Sequence, residues 1–182
     1  MSMTHPRGKR QRGFTLMEML VAVLLFGIGL LGVVGLNAVS LASSYVAGTR
    51  TVANELTTDM ADRMRANRDA AYAAAGSRYS DLGPVDNSCR AMYISRLNVA
   101  PVVCTTTQMA EDDLKDWADQ VARTLPGGVG VVCMDSTPDD GVSGAAACDG
   151  VGNVYAIKVF WNERGARGED VRDMRFSAAV QP

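Results

Sequence analysis

Apolar and polar positions are spread very unevenly along this chain. From Met19 to Leu36 runs MLVAVLLFGIGLLGVVGL, 18 residues without a charge. As a helix rising 1.5 Å per residue it would span roughly 27 Å, close to the thickness of a bilayer's hydrocarbon. Beyond Leu36 the pattern turns amphipathic without a break. Val52, Leu56, Met60 and Met64 recur at i+4 and predict an apolar stripe. Asp59 with Arg63, and Arg65 with Asp69, stand at the spacing of helical charge pairs. No proline falls between Phe14 and Ser80, so one helix can run from Phe14 to about Ala73, its outer half packing into a head.

The remaining segments predict that head. Ala73 to Cys104 is loop-like, punctuated by Gly76, Gly83-Pro84, Asp86-Asn87 and Pro101. A second helix is expected from about Ala110, because Leu114, Trp117, Ala118, Val121 and Leu125 share one face. Glu111, Asp112 and Asp113 suit its start, Arg123 its end, and Pro126-Gly127-Gly128 its stop. Three strands follow. Val129 to Met134 is valine-rich. Tyr155, Ile157, Val159 and Trp161 point one way within Asn153–Trp161, and Met174, Phe176, Ala178 and Val180 do so within Val171–Val180. A turn over Asn162–Asp170 would join the last two. Trp117, Trp161 and Phe176 read as core.

Charge changes the picture at the N-terminus. Of the 18 Lys+Arg, Arg7, Lys9, Arg10 and Arg12 precede Gly13, and no acid accompanies them. Without the first 13 residues the balance is 14 − 20 = −6. So acidic a remainder is a poor partner for nucleic acid, and none is predicted. No cation follows the apolar run until Arg50, which orients the N-terminus to the cytoplasm and the rest across the membrane. A removable secretory signal fits badly, because the run is long and no A-x-A site follows it closely.

The single histidine, His5, also lies before Gly13, so the remainder has no imidazole for acid–base or metal chemistry. GxSxG, SxxK and HExxH are absent, and no enzyme activity or cofactor is expected. Cys89, Cys104, Cys133 and Cys148 contain no CxxC pair. In an exported segment an even number favours two disulfides. Three pairings are possible. Cys89–Cys104 and Cys133–Cys148 close short loops of equal span, each worth about 3 kcal/mol, and are the pairing expected. Asp135, Asp139, Asp140 and Asp149 crowd the second loop, but DSTPDDG does not fit a calcium-binding EF-hand. A solvated acidic loop without metal is the expectation.

The order GKRQRG-FTLMEMLVAV carries a further signal. A basic leader, Gly13, Phe14-Thr15-Leu16, an apolar residue and then Glu18 together resemble the class III signal of type IV pilins and of type II secretion pseudopilins. The resemblance implies an α+β pilin-like fold, with a long N-terminal helix packed on a small antiparallel sheet and an additional helix. It implies cleavage between Gly13 and Phe14 by a prepilin peptidase, which also methylates the new amine of Phe14. Glu18, costly in hydrocarbon unless paired, would then neutralise the amine of an adjacent subunit. The expected divisions are a leader over 1–13, a membrane and assembly helix over 14–36, and a periplasmic head over 37–182. The head would comprise helix to 73, a loop over 74–109, a helix over 110–125 and a sheet over 129–180.

A second block, ELTTDMADRMRANRDAA from Glu55 to Ala71, resembles that of type IV pilus modification proteins, the minor pilins called PilV, as does the spacing of Asp113-Leu114, Trp117 and Leu125 to Gly128. Without the family, Arg63, Arg65 and Arg68 read as a solvated face. The resemblance implies a minor pilin that helps initiate pilus assembly, with consequences for adhesion, twitching motility or DNA uptake. Its partners would be the prepilin peptidase, other minor pilins, the major pilin and the inner membrane, with a tip adhesin as a further candidate. Its final location would be the pilus. The alternatives are a minor pseudopilin of type II secretion and, further off, a signal-anchored periplasmic binding module.

Overall fold

Thr15 opens the first helix. Its hydroxyl accepts from the Glu18 N–H at 3.3 Å, which satisfies one of the donors a helix start leaves orphaned. Helix α1 then runs Leu16–Ala66. The computed structural model describes residues 13–73, 79–80, 104–164 and 171–182, and the chain divides into two compact units, 1–41 and 42–182. In the first unit every described residue from 13 to 41 is exposed. This stretch of α1 is long and apolar enough to cross a membrane.

The second unit begins with the outer part of α1, which buries Leu56, Met60 and Met64, with Val52 packed beside them, as the stripe predicts. The helix does not continue unbroken to Ala73. Asn67 leaves helical geometry (φ −113°, ψ 57°) before a single turn, α2, Arg68–Ala71. The backbone N–H of Asn67 still donates to the Arg63 carbonyl, and its buried side-chain amide donates to the Thr106 carbonyl at 2.7 Å, a partner 39 residues away that local spacing cannot reveal. The arginines of this block are not one solvated face. Arg63 pairs with Asp59 at 3.0 Å, as expected, and also reaches Asp113 at 3.4 Å. Arg68 lies over the Tyr72 ring. Arg65 pairs with Asp62 at 2.7 Å rather than with Asp69.

Helix α3, Thr106–Thr124, starts four residues earlier than its apolar face suggests. Thr105 and Gln108 cap each other's backbone in a T-x-x-Q box, a signal present in the sequence and missed. Strands β1 (Val129–Met134), β2 (Tyr155–Arg164) and β3 (Val171–Val180) form an antiparallel sheet in the order β1-β2-β3. β2 extends past Trp161 to Arg164, so the expected turn starts later, and its tip lies outside the described residues.

Registers such as Trp161↔Met174 and Val159↔Phe176 put the predicted apolar set on one face. Tyr155, Ile157, Val159 and Trp161 join Trp117, Val121 and the α1 stripe in a single core, with Phe176 packed partly buried against it. The opposite face carries Ala156, Lys158 and Phe160, which are also buried. A two-layer fold should leave that face wet. Here the segment between β1 and β2 covers it.

Candidate functional site

Two places combine unusual chemistry with definite geometry. The first is the N-terminal turn. Phe14 is 78% exposed and Glu18 stands in the first turn of α1. Thr15 and Glu18 have the spacing of a T-x-x-E capping box, of which the Thr15 half is formed. A β-carbon built on Gly13 would meet nothing within 4 Å, and the same holds at Gly27, Gly29, Gly32 and Gly35. None of these glycines is required by the fold of the chain itself. Arg7, Lys9, Arg10 and Arg12 lie outside the described residues.

The second place is the segment from Asp135 to Asp149. Cys133 and Cys148 are bonded, as expected, across a separation of 15 residues. Cys104 is also disulfide-bonded, while its expected partner, Cys89, lies outside the described residues. The enclosed acidic loop is not solvated in the way the sequence suggests, because two cations from the sheet run into it. Lys158, with no exposed side-chain surface, stands 2.5 Å from Asp135 Oδ2 and 2.6 Å from Asp140 Oδ1, and it donates to the Ala146 carbonyl at 2.8 Å. Arg175 on β3 donates to the Gly141 carbonyl at 2.6 Å and to Asp139 Oδ1 at 2.9 Å, and Ser177 also donates to Asp139. Asp149 accepts from the Ser136 N–H and hydroxyl and from the Val151 N–H.

Burial alone would lower the Lys158 ammonium, but the neighbouring Asp135 and Asp140 carboxylates outweigh it and hold it above its ordinary value. Asp139 is held below the usual carboxylate range by its bonds to Arg175 and Ser177. Asp140 is lowered by Lys158 and Thr137, and Asp149 by Ser136 and Val151. All four carboxylates are thus used inside the protein. Cys133, Asp135 and Cys148 bring three ligand-type atoms within 4.8 Å of one another, but bonded sulfurs have no thiolate to offer a metal. No local pattern singles out the lysine. In an alternating strand Lys158 reads as an ordinary outward charge.

A smaller network joins the helices. Tyr79 donates to Asp113 at 3.1 Å beside Arg63. Burial raises the Asp113 carboxyl, with Tyr79 and Arg63 opposing. The Tyr79 phenol is raised by burial and by the charge of Asp113. Its chemistry is that of a strut between α1 and α3.

Comparison with known families assigns a class to this arrangement. The prokaryotic N-terminal methylation motif matches residues 8–34, and the family described as type IV pilin Tt1218 matches residues 35–115. No curated protein and no solved structure matches the chain. The fold is type IV pilin-like, among the described residues a long N-terminal apolar helix with a three-stranded antiparallel sheet and the additional helix α3. The chain carries a prepilin methylation motif on that helix and a disulfide in its head.

Proposed function

We propose that this chain is a minor type IV pilin of the modification-protein kind, which helps prime pilus assembly. Prepilin peptidase cuts between Gly13 and Phe14 and methylates Phe14. The product sits in the inner membrane with its head in the periplasm and passes into the pilus beside other minor pilins and the major pilin. One observation carries the reading. Through the methylation motif and just beyond it, residues 13–41 expose their apolar surface throughout, and four glycines there leave room for close approach of another helix. Glu18 at the head of this surface has the position to meet a neighbour's amine, and the leader cations Arg7, Lys9, Arg10 and Arg12 hold the cut site on the cytoplasmic side.

Mass spectrometry of the mature N-terminus tests the reading. N-methyl-Phe14 is the expected result, and intact Met1 chains in assembled pili would overturn it. Gly13→Ala should block or slow the cut while leaving the fold unchanged, since a methyl group there meets nothing in the chain. Deletion of the protein should reduce surface pili. Loss of secretion with normal piliation would transfer the chain to the pseudopilins.

A further inference from the structure

Lys158 and Asp135 are both completely buried, on the outer face of a sheet whose other face already holds the core. Putting a charged pair there is costly, and an apolar pair of similar size would often serve stability as well or better. The pair is also built as more than a simple ion pair. Asp135 Oδ2 faces Nζ directly, at 2.5 Å. Asp135 Oδ1 accepts from the Thr137 N–H at 3.0 Å. A second carboxylate, Asp140, touches Nζ through Oδ1 at 2.6 Å. The Thr137 hydroxyl lies 2.9 Å from Asp140 Oδ2 and 3.4 Å from Asp135 Oδ1, linking the two acids. Amine, carboxyl carbon, base and backbone donor thus converge, with the Lys158 and Asp135 side chains closed to bulk water and Asp140 at the rim, its side chain 41% exposed.

We infer that Lys158 and Asp135 condense to an intramolecular amide, a covalent bridge from the end of β1 to the middle of β2. The balance needs no co-reactant. One proton passes from the Lys158 ammonium to Asp135 Oδ2, giving an amine and a carboxylic acid. Nζ attacks Cγ, and negative charge builds on Oδ1, to which the Thr137 N–H already donates. Asp140 takes the second Nζ proton and returns it to the leaving hydroxyl, which departs as water, while Asp140 ends as the carboxylate it began. An N–C bond forms, a C–O bond breaks, and nothing is oxidised or reduced.

The oxygens around Nζ, from Asp135, the side chain and carbonyl of Asp140, and Ala146, favour the ammonium, so the attacking amine is a minor species and the step is slow. It need occur only once in the life of the molecule. Fixed neighbours react with effective molarities of up to about 10⁵–10⁸ M, and the product persists because the bridged side chains are closed to the water that would hydrolyse them. The bridge would remove two buried charges and tie the acidic loop by a bond that reducing agents do not cut, independently of the Cys133–Cys148 disulfide beside it.

The test uses the full mature protein, extracted from membranes, fully reduced and denatured. The expected result is a mass one water below that of the processed sequence, with trypsin sparing Lys158. Digestion should yield a branched peptide joining the Asp135 segment to the Lys158 segment. Asp135→Ala and Lys158→Met should return the full mass, and Asp140→Ala should form the bond at least about a hundredfold more slowly. Wild-type protein at full mass, cleaved normally after Lys158, overturns the inference whether or not the variants fold. So does a lost water found on an unbranched peptide, since Asp140-Gly141 or Asp149-Gly150 could lose it by cyclising.

Discussion

Trp117 on α3 lies so close to Gly130 on β1 that a β-carbon at Gly130 would sit 2.6 Å from the indole Cζ3 and 2.7 Å from Cη2. The same indole donates to the Leu56 carbonyl of α1 at 2.8 Å. One side chain therefore fixes the distance between the helix layer and the first strand, and only a strand residue without a side chain leaves room for it. Gly128 has a related role, because a β-carbon there would meet the Val121 carbonyl oxygen at 2.3 Å.

Gly130→Ala should destabilise the head by about 1–3 kcal/mol through overpacking. Urea unfolding of the detergent-solubilised protein measures this, with Gly35→Ala as the control. Gly35 has open space around it, so its variant should unfold at the wild-type midpoint. Equal stability for Gly130→Ala would mean that Trp117 is free to move aside.

Glu18→Ala should leave membrane insertion intact and sharply reduce recovery of the protein in sheared pili. Removing a carboxylate from an apolar helix eases insertion, and the Thr15 hydroxyl bonds to the backbone of residue 18, not to its side chain. The helix start therefore survives the change. Normal incorporation at native expression would remove the proposed pairing with a neighbour's amine.

Acid should loosen the loop over β2 and β3. Asp139, Asp140 and Asp149 have folded values lowered from 3.8. Their contribution is fully present above that value and is lost as pH falls through the lower folded ones. Asp139→Asn should flatten the acid limb of the stability profile below about pH 4 and change little at pH 7 beyond a constant offset. A wild-type acid limb in that variant would show that Asp139 and Arg175 are not coupled.

Loss of the Cys133–Cys148 bond should cost at most about 3 kcal/mol. Lys158 and Arg175 still grip the loop in the folded state, so the loss acts through the freer unfolded chain, as the chain-entropy argument assumes. Cys133→Ser should nevertheless lower the unfolding midpoint more than Cys89→Ser, because Cys133 lies within β1, paired with Ala156. The reverse order in parallel melts would place the critical staple at the first pair.

Periodicity alone was enough for the apolar helix, the α1 stripe, the Trp117 face, the β1 and β3 boundaries and the inward set of the sheet, because each depends on side chains a few residues apart. The Gly13-to-Glu18 order was legible for the same reason, and the second cysteine pair because it closes a short loop of 15 residues. Partners far along the chain were not. The Asn67 side chain, at the break after α1, donates to the Thr106 carbonyl, and Arg63 turns from solvent because Asp113 arrives beside it. Lys158 alternates with apolar neighbours as any surface lysine would. It is buried only because the loop after β1 folds back over the sheet and brings Asp135 and Asp140 with it. A charge can leave water only where counter-charges meet it, and that meeting was decided by the tertiary fold.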